Sequence, residues 1–214
     1  MILDIVSAFV AYGVSAYSFT LNRYVGKFPL KALGLGFSLL GTGLLLEGTT
    51  GLIADAMVGN GLLAKRLVSD SGVLFLSLQL VAYLFFALAY GSEMTGRGKV
   101  LTEAEIDSSR FWPIGALAAT FGGLYDVALT AYLVMVALLM FVTFGALLAH
   151  GRSRSRSTLL VLLGFGLVLS GHVLMLESVA TLTPGTFYAG TLVQFTGFVS
   201  LLWFLVRSGR LGAK

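Results

Sequence analysis

Long apolar runs separated by short polar breaks dominate the chain. A helix needs about 20 apolar residues to cross a bilayer. Six runs meet that length, at 2–21, 30–53, 71–91, 126–148, 158–180 and 186–206. The stretch 111–149 is broken by charge only at Asp126. A single helix of that length would overshoot a bilayer, so the pattern predicts two helices meeting near Gly122-Gly123-Leu124-Tyr125-Asp126. The first of them would be short, over 107–124, with Pro113 in its first turns.

The basic residues select between six and seven spans. Lys and Arg concentrate in short loops on the cytoplasmic side. Arg23, Lys27 and Lys31 follow the first run, Arg152, Arg154 and Arg156 follow the fourth, and Arg207, Arg210 and Lys214 form a tail. Seven helices put all three groups on one side, with the N-terminus outside and the C-terminus cytoplasmic. The cost is Lys65 and Arg66 outside, beside Asp55 and Asp70. Six helices, with 111–123 re-entrant or interfacial, place the first two groups on opposite sides. The predicted fold is therefore an all-α polytopic membrane helix bundle of seven transmembrane helices, the alternative being six.

The first three and last three long runs share an order of polar positions. Asp4 opens one and Asp126 its counterpart, and a basic loop follows both. The next run carries Gly36-Phe37 and then Glu47, and its counterpart carries Gly164-Phe165 and then Glu177. Gln79 and Gln194 lie at similar places in the third pair. The order predicts a duplication within one transmembrane domain, 1–214. It consists of a three-helix unit at 2–91, a linker with a short helix at 92–123, a second unit at 124–206 and a basic tail at 207–214. Seven helices give parallel repeats, 3+1+3, and six give inverted repeats, 3+3; both occur in transporters. In layout alone this resembles the SWEET and PQ-loop transporters. Their proline–glutamine dipeptide is absent, since Gln79 follows Leu78 and Gln194 follows Val193.

Composition narrows the function classes. Of 214 residues 57% are hydrophobic and 11% charged, against roughly 25% charged in a soluble domain. The net charge of +4 comes from loop residues between apolar runs, so no nucleic-acid partner is expected. The absence of cysteine removes disulfides, thiolate metal sites, iron–sulfur clusters and thioether-bound haem. No lysine stands in 186–206 to hold a retinal. No metal motif or catalytic triad spacing is present, so an enzyme acting on its own is not expected. Gly34, Ser38 and Thr42, and Gly166 and Ser170, read as small-residue packing stripes. The alternating 152–157 loop reads as a headgroup-level topology determinant with access to anionic lipid.

Ionisable residues inside lipid are costly and usually face a bundle interior. They are Asp4, Glu47, Asp126, His172 and Glu177, with Gln79 and Gln194 as polar company. The site candidates are Glu47, Glu177, Gln79, Gln194 and His172, gathered in the outer half of the bundle. Asp4 and Asp126 are expected as helix caps or at the site edge. A carboxyl in lipid without a cationic partner serves either as a neutral hydrogen-bond donor or as an anion that attracts a cation. His172 and His150 stand at different depths, which disfavours bis-histidine haem. No metal or cofactor is expected, haem and quinone being disfavoured. The leading expectation is a small transporter or permease with a polar, proton- or cation-linked site. The alternatives are a membrane subunit of a respiratory or redox complex with a quinone-adjacent site, and a scaffold or assembly protein. Membrane lipid is the expected partner, with room for a homo-oligomer or a larger membrane complex.

Overall fold

The computed structural model describes residues 1–57, 61–94 and 124–212. Among them are six α-helices and no strand: α1 (Ile2–Val25), α2 (Phe28–Ala56), α3 (Gly61–Met94), α4 (Leu124–Ser153), α5 (Arg156–Thr181) and α6 (Pro184–Gly212). All six contain a span long and apolar enough to cross a membrane. Large apolar side chains such as Phe9, Leu133, Met140, Phe144, Leu163 and Trp203 stand exposed on their outer faces. Exposure on that scale fits a lipid-facing wall. The protein is an integral, multi-pass membrane protein. The short helix expected over 107–124 lies almost wholly outside the described residues. The described part of α4 begins at Leu124, so the junction expected near Gly122–Asp126 lies at the edge of the described residues.

Local chemistry sets the helix ends. α1 stops at Gly26, whose φ of 64° is left-handed and whose N–H bonds to Asn22 O. Glycine adopts that conformation without a Cβ penalty. Pro29 then stands in the first turn of α2, where its missing N–H costs nothing. Ser155 caps α5 by accepting the Thr158 N–H. At the far end Leu182 turns left-handed, and Ser178 Oγ donates to Thr183 O at 2.7 Å before Pro184 opens α6. Two expected boundaries move. α3 begins ten residues before the predicted 71, at Gly61, and takes in Lys65, Arg66 and Asp70. The segment has no proline, and Leu62, Leu63, Leu67 and Val68 accompany the charges as exposed residues of one helical extension. The tail is also helical through Gly212, so Arg207 and Arg210 continue α6.

The helices form a closed ring in chain order. Neighbours in sequence touch, and α1 meets α6. The contacts α5–α6 and α2–α3 are the most extensive, and α3–α4 and α1–α6 are the sparsest. Directions follow from shared surroundings. Asp4, Glu47, Phe75, Tyr132, Met175 and Phe187 line one cavity, so α1, α3, α4 and α6 all start at that end, the Met1 end. At the opposite end the late α3 residue Tyr90 meets Gly145 of α4 and Phe165 of α5. α3 and α4 therefore run parallel, as do α1 and α6. Inverted three-helix units would require α4 to start at the opposite end. Met94 and Leu124 also stand at opposite ends of the bundle.

Glycines seven residues apart form the seams. On α2, Gly34, Gly41 and Gly48 abut Phe19, the Ala8 carbonyl with Tyr12, and Ile5 of α1. Gly36 and Gly43 on the same helix abut Phe86 and Phe75 of α3. On α5, Gly164 and Gly171 abut Leu201 and the Gly190 carbonyl of α6. A seven-residue repeat keeps one stripe facing one neighbour. The spacing-four stripes expected from the sequence are only partly used. Gly34 packs, while Thr42 is exposed and bonds to Tyr12 at 3.0 Å, and Gly166 and Ser170 meet no neighbouring helix in this way.

Candidate functional site

The centre of the ring is polar. His172 of α5, Tyr83 and Gln79 of α3 and Gln194 of α6 are 0%, 0%, 1% and 3% exposed, which leaves them no water to satisfy their polar atoms. They satisfy one another. His172 Nδ1 lies 2.9 Å from the Val168 carbonyl, so Nδ1 carries the proton and Nε2 is left as an acceptor. Tyr83 Oη lies 2.9 Å from Nε2 and donates to it. Gln79 Nε2 donates to Tyr83 Oη at 3.1 Å and lies 2.9 Å from His172 Nε2. Gln194 Nε2 reaches Tyr83 Oη at 3.4 Å. Turning the Gln79 amide over would set an oxygen against the unprotonated Nε2, which repels it. In the consistent orientation Gln79 Oε1 is buried with no partner among the described residues.

Aromatic rings frame this knot. Tyr83 meets the His172 ring edge-on at 5.0 Å, and Tyr132 of α4 lies 6.2 Å from it. On the side away from Met1, Phe37, Phe86, Phe165 and Phe198 form a contiguous layer contributed by four helices. Edge-to-face and tilted pairs of this kind fill a core without voids. Beyond that layer, a recess of about 260 Å³ lies among α1, α2 and α3, lined by Leu21, Lys27, Leu33 and Tyr90 among others.

On the Met1 side of the knot lies another cavity of about 260 Å³, to which each of the six described helices contributes. Gln194, Tyr132, Met175 and Phe75, all buried, belong to its lining, and Asp4, Glu47 and Thr191 supply further polar groups. Gln194 is shared between the cavity and the knot. Asp4 Oδ2 lies 2.7 Å from the Met1 amino group. Glu47 has no hydrogen bond or ion pair to any described residue, and it is half-buried in the cavity wall.

The structure thus brings Gln79, Gln194 and His172 into one network and sets Glu47 and Asp4 beside it. It does not bring Glu177 there. Glu177 is exposed, on the outer face of α5, and its position is a correction to the expected inward pair. The reason is rotational. Gly171, His172, Met175 and Ser178 define the buried face of α5, and Glu177 falls off it. Asp4 is no cap, since Met1 holds the N-cap position of α1 with no side-chain bond; it stands in the first turn, where the dipole favours an acid. Asp126 is the third residue of α4, and its side chain lies outside what is described. His150 bonds to Thr158 Oγ1 at 3.0 Å, at the end of the bundle away from Met1. Thr158 and His172 are four turns apart on α5, roughly 20 Å at a 1.5 Å rise per residue, too far for two histidines to share one haem. Among the described residues no group of three metal-binding side chains occurs.

Tyr83 and Tyr132 were not among the candidates that the sequence singled out. Tyr83 stands four residues after Gln79, one helical turn on the same face, and that spacing was the available signal. No protein-family model, curated protein or solved structure matches the chain.

Proposed function

We propose that the protein is a small membrane permease whose solute site is the cavity at the Met1 end, with the knot of Gln79, Tyr83, His172 and Gln194 as its floor. The observation that carries this reading is the continuity between an open, partly acidic cavity and a fully buried polar centre through one residue, Gln194. A helix scaffold has no need of either. Locking helices together calls for satisfied polar groups, whereas here Glu47 and Gln79 Oε1 are left without partners. The recess on the far side of the phenylalanine layer supplies a second vestibule. The layer between them is the closed barrier of a path that opens to one side at a time. The end carrying Arg23, Lys27, Arg152, Arg154 and Arg156 is the cytoplasmic one by the charge rule, which sets the cavity outside.

A duplication supports the same reading, because transporter sites commonly lie at a repeat interface. Gly36 abuts Phe86 and the Ala82 carbonyl, and Gly164 abuts Leu201 and the Gly197 carbonyl. Gly43 and Gly171, one heptad later, abut Phe75 and Gly190. In this register Gln79 corresponds to Gln194, as the sequence suggested, but Glu47 corresponds to Met175 rather than to Glu177. The quinone reading has less behind it. His172 would have to offer Nε2 to a quinone carbonyl, yet it is wholly buried and that nitrogen faces Tyr83 and Gln79.

The chain has no cysteine, so single thiols can be introduced without a background. Thr191→Cys probes the cavity and Leu33→Cys the recess. In sealed proteoliposomes an impermeant thiol reagent is expected to reach the two from opposite faces. Modification of one should slow labelling of the other, because the two openings are states of one equilibrium. Labelling from the same face, or at independent rates, would move the reading to a scaffold.

A further inference from the structure

Resting on the permease reading, we infer that the cavity selects a small organic cation, its charge held by Glu47 and its body lying against Phe75, Tyr132 and Phe187. Charge sign comes first. Among the described lining residues are two carboxyl side chains and no Lys, Arg or His side chain. The Met1 amino group occupies Asp4 at 2.7 Å, while Glu47 has no partner, so one carboxylate is available to a ligand. An anion would meet that carboxylate directly. A neutral solute supplies no charge to hold the carboxyl ionised in a low-dielectric wall.

The second, independent observation is Gln194. Its side chain is 3% exposed and lines the cavity, and its amide nitrogen is directed to Tyr83. Its carbonyl oxygen has no hydrogen-bond partner among the described residues. The buried polar group offered to the cavity is therefore an acceptor, which suits the positive edge of an alkylammonium and not an anion.

The walls separate an organic cation from an inorganic one. Hard cations take six or more oxygens in a tight shell. Here the lining alternates a few oxygens with Leu3, Leu44, Phe75, Met175, Phe187 and Leu192. Aromatic faces attract cations by about 0.5–2 kcal/mol each, most strongly where water is excluded, and Phe75 and Tyr132 are 6% and 5% exposed. A volume of about 260 Å³ lies just under the roughly 300 Å³ at which drug-sized pockets begin. The occupant is a compact, permanently or readily charged amine with an apolar body.

The test uses choline and benzyltrimethylammonium, with 3,3-dimethylbutan-1-ol as the uncharged analogue of choline and sodium chloride as the ionic control. Ligand that binds only the folded state raises the melting temperature by mass action. Both cations are expected to raise it in detergent for the wild type, and the alcohol and the salt are not. Glu47→Gln should melt as the wild type does without ligand and lose at least tenfold in apparent affinity. Tyr132→Leu should lose a few-fold and Glu177→Gln nothing. Equal shifts for choline and its alcohol, equal shifts in wild type and Glu47→Gln, or no shift with either cation would overturn the inference. Radiolabelled choline uptake into proteoliposomes from the same preparation keeps the two readings apart. Cation binding without uptake removes the permease and retains the site. Uptake of the uncharged analogue with no dependence on Glu47 removes the cation site and retains the permease.

Discussion

The α2–α3 and α5–α6 pairs share a glycine spacing and are filled differently. Both meet along glycines a heptad apart, Gly36 and Gly43 in one and Gly164 and Gly171 in the other. In matching places the first pair carries Leu44 and Glu47, and the second carries His172 and Met175. Under the proposed duplication Tyr83 of α3 corresponds to Phe198 of α6. The seam is common to both; the polar groups are not. The histidine thus comes from one pair, its tyrosine partner from the other, and the unpartnered carboxyl from the pair that lacks the histidine.

The sharpest way to break the comparison is through the glycines, where the largest effect is expected. A Cβ at Gly171 would lie 2.7 Å from the Gly190 carbonyl oxygen and 2.9 Å from Gln194 N, both backbone atoms. A Cβ at Gly43 would meet the Phe75 ring at 3.1 Å, and a ring can yield. Gly171→Ala should therefore cost about 2–3 kcal/mol and Gly43→Ala about 1 kcal/mol or less, the range for overpacking. Melting temperatures in detergent read the difference. Equal losses would mean that the two seams are alike in closeness as well as in spacing.

Exchange of the polar residues between matching places comes next. Leu44→His forces a different shape into a buried place and should cost about 1–3 kcal/mol. His172→Leu removes one member of the buried network and leaves Tyr83 Oη with only Gln79 and Gln194 to meet; about 1–2 kcal/mol is expected. Tyr83→Phe, which makes that place like Phe198, should cost about as much, and the double variant with His172→Leu less than the sum. Strict additivity in that cycle would contradict a shared network. The smallest effect is expected at Glu177. It is exposed, so Glu177→Gln should leave stability within about 0.5 kcal/mol and leave uptake unchanged; a loss of uptake would put the second glutamate back into the site.

How much of this was legible in the sequence depends on the kind of signal. Six spans and their order follow from runs of apolar residues. The parallel sense of α3 and α4 was implied by basic loops alone. The beginning of α3 was not visible, because Lys65 and Arg66 look like a loop when hydropathy is the only guide. In the site, Gln79, Gln194 and His172 stood out as polar atoms in apolar runs. Which of them face inward is a matter of rotation about each helix: Glu177 lies two residues beyond the buried Met175 and falls off the inner face of α5. Tyr83 was hidden because a tyrosine in a lipid-spanning run serves equally well as core; only its place one turn from Gln79 distinguished it.

The central claim is that the cavity at the Met1 end is a solute site and that Glu47 is the group that makes it one. The most direct measurement is choline uptake into proteoliposomes by the wild type, Glu47→Gln and Glu177→Gln, each shown to melt at the same temperature without ligand. Saturable uptake is expected for the wild type and Glu177→Gln, and uptake at the level of protein-free vesicles for Glu47→Gln. Equal uptake in all three, or uptake lost in Glu177→Gln and kept in Glu47→Gln, would contradict that claim.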